Sequence, residues 1–225
     1  MATVTVDTIL SRCNTLLNDK IWARWPKQEL LDYYNDSVRA IVLMRPDANA
    51  ADVDFTCVAG TKQLLPSNAL KLIDVVRNDS GRVIRYIDRS ALDDNYPDWH
   101  ISADAADAAA YTYDDRDPKV FYLYPGVIAA AKINLVYSVA PQAKTLAQVN
   151  DVTTPAVADL DDIYINPIID FILSRAYSKD ADYVANSNRA VSHYNAFLQQ
   201  LGEKTNADNA MAQIQSQAFQ RTTQQ

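Results

Sequence analysis

Apolar residues recur at helical spacing near both ends of the chain and alternate with polar ones in its middle. Near the start, Val6, Ile9, Leu10, Cys13, Leu16 and Leu17 fall on one helical face, with Thr5 or Asp7 placed to cap it. A second helix is predicted from Trp25-Pro26. Proline suits a first helical position because the N–H it lacks has no partner there. Glu29 follows in the first turn, where the helix dipole favours an acid. Leu30, Tyr34, Val38, Ile41 and Val42 supply the stripe, and Pro46 stops it.

The period then changes. Asp54 to Val58 and Lys62 to Leu65 flank Ala59-Gly60-Thr61 and read as a hairpin. Leu72 to Arg77 and Arg82 to Tyr86 flank Asn78-Asp79-Ser80-Gly81, a second hairpin with a turn signal. Ala110 to Tyr113 and Val120 to Tyr124 flank an Asp/Pro-rich loop, a third. From Lys132 to Val139, Ile133, Leu135 and Tyr137 share one face. Ser90 to Asn95 reads as a helical turn. The zone is expected to be a small antiparallel sheet or sandwich.

Helical spacing returns after Asn166-Pro167, read as a cap followed by a first-turn proline. Ile168, Ile169, Ile172, Leu173, Ala176 and Tyr177 make the face. The pattern weakens at Asn186-Ser187-Asn188, which predicts a break. It resumes through Ala190, Val191, Tyr194, Phe197, Leu198 and Leu201 to Gly202, the expected C-terminal cap. A polar, Gln-rich tail follows. The fold class is therefore α+β. Residues 1–50 are the first helices of a bundle, 51–160 an inserted β-rich domain, 161–203 the returning helices and 204–225 the tail.

Composition narrows the function. The four glycines, Gly60, Gly81, Gly126 and Gly202, stand too far apart for a phosphate-cradling loop. The net charge of −7 argues against a protein that works by gripping nucleic acid, since that grip rests on Lys and Arg neutralising phosphates. The excess acid is concentrated: residues 51–160 carry 10 basic and 15 acidic groups. Met1 to Leu10 shows no basic stretch ahead of its apolar residues, so a secretory leader is not expected. The best apolar run, Val120 to Ala131, is broken by Pro125 and Gly126 and falls short of the roughly 18 residues of a membrane span. Cys13 and Cys57 lack metal-type spacing and are expected as reduced, buried thiols.

Of 28 acidic residues only Glu29 and Glu203 are Glu, so the store of carboxylates is almost wholly Asp. Asp93-Asp94, Asp114-Asp115-Asp117 and Asp159-Asp161-Asp162 sit beside Pro or at element boundaries, where Asp caps and turns the backbone. None has the spacing of a calcium loop. Neither catalytic nor metal-binding nor cofactor-binding residues are assigned. Among the histidines, His193 reads as a surface or interface residue. Arg77, Arg82, Arg85 and Arg89 form the one basic cluster, interleaved with Asp74, Asp79 and Asp88, and are read as cross-strand or inter-subunit ion-pairing groups. Trp22 and Trp25 are expected to anchor a helix junction. Tyr111, Tyr113, Phe121, Tyr122 and Tyr124 form an aromatic set on neighbouring strands.

Several strings carry a resemblance. Residues 25–35, WPKQELLDYYN, resemble the second-helix signature of phage head-to-tail adaptors. Residues 60–66, GTKQLLP, and 72–78, LIDVVRN, are similar to the start of that family's β insertion. Residues 117–125, DPKVFYLYP, and 175–181, RAYSKDA, are similar to later segments. The match runs in order from about residue 5 to 203 and is closest to the connector (tail tubular protein A-like) proteins of short-tailed phages. The resemblance implies a helical bundle with an inserted β domain and no catalytic residues. It also implies a ring, usually of twelve subunits, in the virion neck after synthesis in the host cytoplasm. The portal protein lies on one side of that ring and a tail nozzle or tail tube protein on the other, with no membrane involved. Genomic double-stranded DNA passes through in transient, non-specific contact. Twelve copies carry about −84 in total, a field that repels phosphates. The tail, with Met211, Ile214, Phe219 and Arg221, is the expected portal-docking segment. Two other readings stand beside this one: a tail or baseplate component binding host-surface carbohydrate through Trp and Tyr, and an Asp-dependent hydrolase.

Overall fold

The computed structural model describes residues 2–180 and 183–223, with side chains described as far as Ala210. The chain divides into two compact units, Met1–Ile41 with Gln142–Gln225, and Val42–Pro141. The architecture is α+β: N-terminal helices, two central sheets, and C-terminal helices packing back on the N-terminal ones.

In the helical unit, α1 (Val6–Leu16) is capped by Thr5, whose Oγ1 accepts the N–H of Thr8 at 3.2 Å. Its apolar face buries Val6, Ile9, Leu10 and Cys13. The link to α2 (Lys27–Met44) is a tight loop in which Asn18 and Trp22 take left-handed φ values of 56° and 57°. Asp19 holds it: its carboxylate accepts N–H groups from Ala23, Arg24 and Trp25 at 3.0, 2.8 and 2.9 Å. Pro26 stands just ahead of α2, and its carbonyl accepts the N–H groups of Glu29 and Leu30. Pro46 ends the helix and opens a short 3-10 turn, Pro46–Asn49.

The C-terminal helices are α5 (Ile165–Lys179) and α6 (Val184–Thr223), packed together and joined at their seam by Phe171 and Phe197, edge to face at 5.2 Å. α1 also contacts α5. The indole N–H of Trp25 donates to the carbonyl of Ala176 at 3.1 Å, so this tryptophan does tie the helix junction. Residues 142–160 lie with the helices. Asn35 brackets Lys144 through both its backbone groups, Lys144 pairs with Asp159 at 2.8 Å, and the segment 156–158 bonds to 4–6. They include α4 (Leu146–Val149), which opens with a capping box made by Thr145 and Gln148.

Three expectations for this half need correction. Asn166 is not the cap of α5; a 3-10 turn, Asp162–Tyr164, leads in from Asp161, and the helix is under way by Ile165. Pro167 still lies within the first turn, where no N–H is needed. The break before α6 comes earlier than Asn186. α5 ends at Lys179, and the Asn186 amide donates to Asp180 at 2.7 Å to close the turn. Gly202 caps nothing: the backbone of α6 continues helical to Thr223. An exposed helical glycine costs only about 1 kcal/mol against alanine, and Lys204 with Asp208 adds an i,i+4 pair just beyond it.

The second unit is two sheets. One is β1 (Ala50–Thr56), β7 (Lys132–Val139) and β3 (Ala69–Asn78), in that order. The other runs β2 (Gly60–Leu64), β6 (Val120–Val127), β5 (Ala110–Tyr113), β4 (Arg85–Tyr86). Between β4 and β5 lies α3 (Arg89–Asn95), capped by Asp88. The core is common to both sheets and includes Leu72, Val75, Phe121, Leu123, Ile133, Leu135 and Tyr137.

The third predicted hairpin forms as β5–β6, with Tyr113 opposite Phe121. The first does not. β1 pairs with β7 and β2 with β6, so the chain changes sheets at Ala59. Fully buried Gln63 makes that corner by bonding the N–H and carbonyl of Val58 and the carbonyl of Gly60. A close approach on β6 fixes it further, since a Cβ at Gly126 would meet Asp104 Oδ1 at 2.4 Å and the Gly60 backbone at 3.2 Å. The second hairpin is reduced to one bridge, Arg77 to Val83, around Gly81 with φ at 88°. Beyond it β4 joins the other sheet, parallel to β5.

Candidate interaction surfaces

The arginine cluster gathers around this second turn. Asn78, buried at the end of β3, donates to the carbonyls of Arg82 and Ala108 and accepts the N–H of Ala108. That pins the turn and leaves Arg77, Arg82 and Arg85 exposed on it. Two of the three interleaved acids are engaged elsewhere: Asp74 accepts the Tyr111 hydroxyl at 2.9 Å and Asp88 caps α3. Arg89 pairs with Asp93 at 3.5 Å and lies over the Tyr122 ring. Among the described residues, Arg77, Arg82 and Arg85 have no carboxylate partner in their own chain.

Within the acidic clusters Asp114 and Asp162 accept backbone N–H groups, whereas Asp93, Asp115 and Asp159 pair with side chains. Asp114 takes Arg116 through its guanidinium and its N–H, and the Arg116 side chain holds the Asp114 carboxyl down at about 2. The Ser90 hydroxyl lowers Asp88, the Thr153 N–H lowers Asp151, the Thr3 hydroxyl lowers Asp162, and the Trp25 N–H leads the groups that lower Asp19. A carboxyl depressed on folding stabilises the fold above its unfolded pKa, about 3.9, and that contribution goes as pH falls through the depressed value. The melting temperature should therefore hold level from pH 7 to 5 and drop below about pH 4. In Asp19→Asn the drop should be shallower and the neutral-pH value lower; thermal unfolding by circular dichroism reads both. Among the described residues no three His, Cys, Asp or Glu side chains gather as a metal site.

The aromatic residues are divided: Tyr86, Tyr96, Tyr183 and Tyr194 are exposed and Trp22 is half-buried, while the other two tryptophans lie inside. Trp25 and Trp99 are 6% and 2% exposed, so neither indole offers a face to a sugar. Trp99, which the strand pattern did not single out, stacks on His100 at 3.6 Å, meets Tyr122 and Tyr124 edge-on, and donates its N–H to Asp93. Cys13 and Cys57 are free and buried, and desolvation pushes their thiols up to about 12 and about 11. His193 donates its Nδ1–H to the Asp170 carboxylate at 2.8 Å and stacks on Tyr177.

The longest element is α6. Its 40 residues span about 60 Å at 1.5 Å each. Phe197 and Leu201 are its last described buried residues, and from Thr205 to Ala210 every position is exposed. The side chains of Met211, Ile214, Phe219 and Arg221 lie outside the described residues. Among the described residues no helix is long and apolar enough to cross a membrane. Comparison with curated proteins finds no match. A protein-family model described as SU10 adaptor protein matches residues 4–219.

Proposed function

Because the chain belongs to the SU10 adaptor protein family, whose members are structural head-to-tail adaptors of phage virions, we propose that its copies close into a ring of twelve in the virion neck. The ring joins the portal protein to the tail nozzle or tail tube protein, and genomic DNA passes through it. The observation that carries this reading is the far half of α6. Most helical stability in proteins comes from packing an amphipathic face, and this helix runs on past its last described buried side chain, Leu201. It reaches the portal, with Met211, Ile214, Phe219 and Arg221 at the contact. Exposed Arg77, Arg82 and Arg85 meet carboxylates of the next copy. The β unit, residues 42–141, has ten basic and 14 acidic side chains. Its net −4 disfavours lasting capture of the duplex, because counterion release needs cations.

Particle imaging of the full chain mixed with purified portal tests the proposal. A closed ring on the portal, with a hole that admits a DNA duplex, is the expected result. Portal particles that stay bare, or a free trimer in place of a ring, would overturn it.

A further inference from the structure

The helical unit carries an apolar stripe and an apolar-floored groove on opposite flanks. The stripe lies on α6. Val191, Tyr194 and Leu198 belong to the sequence's single apolar face, yet they are 58%, 42% and 39% exposed, and Val184 ahead of them is 73% exposed. Their steps of seven, three and four residues are the a/d repeat by which one helix packs on another. From Val184 to Leu198 the stripe runs about 21 Å.

The groove lies between α1, α5 and α6. It encloses about 760 Å³, within the rough 300–1,000 Å³ of pockets that hold sizeable guests. Leu16, Ile169 and Leu173 make its floor, and Leu16 is itself 58% exposed. Its lining on α5 runs from Asn166 to Tyr177, about 16 Å of helix and close to the stripe in length. Asp170 is already engaged by His193 at 2.8 Å and Gln200 at 2.6 Å, which leaves exposed Arg12 of α1 as the charge on the lining that a guest must pass.

The two surfaces cannot meet within one copy. Gln200 lines the groove and Val191 lies on the stripe; nine residues apart, they sit about 180° apart around the α6 axis. We propose that the stripe Val184–Val191–Tyr194–Leu198 of one copy docks in the Leu16–Ile169–Leu173 groove of the next. Two different surfaces on opposite flanks make a heterologous contact, which closes into a ring when the rotation per copy allows. The pairing rests on the ring reading above and supplies it with an interface.

Cross-linking tests it on the full chain. Native Cys13 and Cys57 are buried, so introduced cysteines report alone. Leu16→Cys mixed with Val191→Cys should give a disulfide-linked dimer on mild oxidation at high concentration, and the double variant a ladder of multimers. Either single variant alone should stay unlinked. Val191→Asp with Leu198→Asp, both exposed, should melt as the parent does and associate at least tenfold more weakly, since burial of two apolar side chains is lost. Multimers by native mass without the mixed link overturn the pairing and leave the ring standing. A Val191–Val191 link overturns it in favour of a symmetric dimer. Monomers with no link overturn it too, because stripe and groove carry their own affinity. Failure of the ring is read separately, from bare portals under the microscope.

Discussion

Deleting residues 204–225 is expected to abolish attachment to the portal and leave both units folded. The cut falls just beyond Leu201, the last described buried side chain of α6. It spares the Phe171–Phe197 seam and the docking stripe that ends at Leu198. Nothing described beyond it contributes to a core: Thr205 to Ala210 are exposed, and Lys204 makes only an exposed pair with Asp208 and a contact over Tyr164. Such pairs are worth about 0.5 kcal/mol or less, so the melting temperature should move by no more than a degree or two. Binding should fall far more, by about a hundredfold or beyond, because a short run of anchors commonly holds most of an interface's free energy. Co-sedimentation with portal particles measures it. Normal attachment by the truncated chain would remove the tail from the mechanism. Self-association through the stripe should survive the cut, which separates portal docking from contact between copies.

Local chemistry made part of this protein readable. Thr5, Glu29 and Pro46 mark helix ends by rules that act over one turn, and Ile133, Leu135 and Tyr137 declare the buried face of β7 by alternation alone. The aromatic strands β5 and β6 pair across a short loop, so their hairpin was legible as well. The misread strand pairing depends on distant groups. Whether β1 and β2 form a hairpin is decided by β7 and β6, more than 50 residues away, and by a glutamine that the pattern marks as an ordinary polar position. Gly202 carries the local signal of a helix end, yet a glycine with open space around it interrupts nothing. The surfaces were only half legible. Spacing gathers the four arginines; it does not say that Asp74 is spent on Tyr111 and Asp88 on α3. Nor does spacing divide the wide apolar face of α6 into a buried seam and an exposed stripe, because that division is set by where α5 lies.

Phe121→Ala should be the most destabilising single change, costing about 3–5 kcal/mol. Phe121 is fully buried on β6, and its ring meets Phe55 of β1 edge to face at 6.1 Å and 61°. These strands belong to different sheets, so the pair ties the two layers together. A cavity there is flanked by Leu123 and Tyr137 on fixed strands and cannot close cheaply. Against a total stability of roughly 5–15 kcal/mol for a domain, such a loss lowers the melting temperature of a 100-residue unit by about 12 °C or more. Phe121→Leu, which keeps most of the volume, should cost about 1.5 kcal/mol or less. Denaturant titration distinguishes the two; equal losses would mean that the aromatic contact, not the filled volume, holds the sheets. The consequence for assembly differs in kind from that of tail removal. Phe121→Ala leaves α6 and its stripe intact but melts the unit bearing Arg77, Arg82 and Arg85, so ring formation should fail only above the lowered melting point and return on cooling. The tail-deleted chain should fail on the portal at every temperature, because it lacks a contact and not a fold.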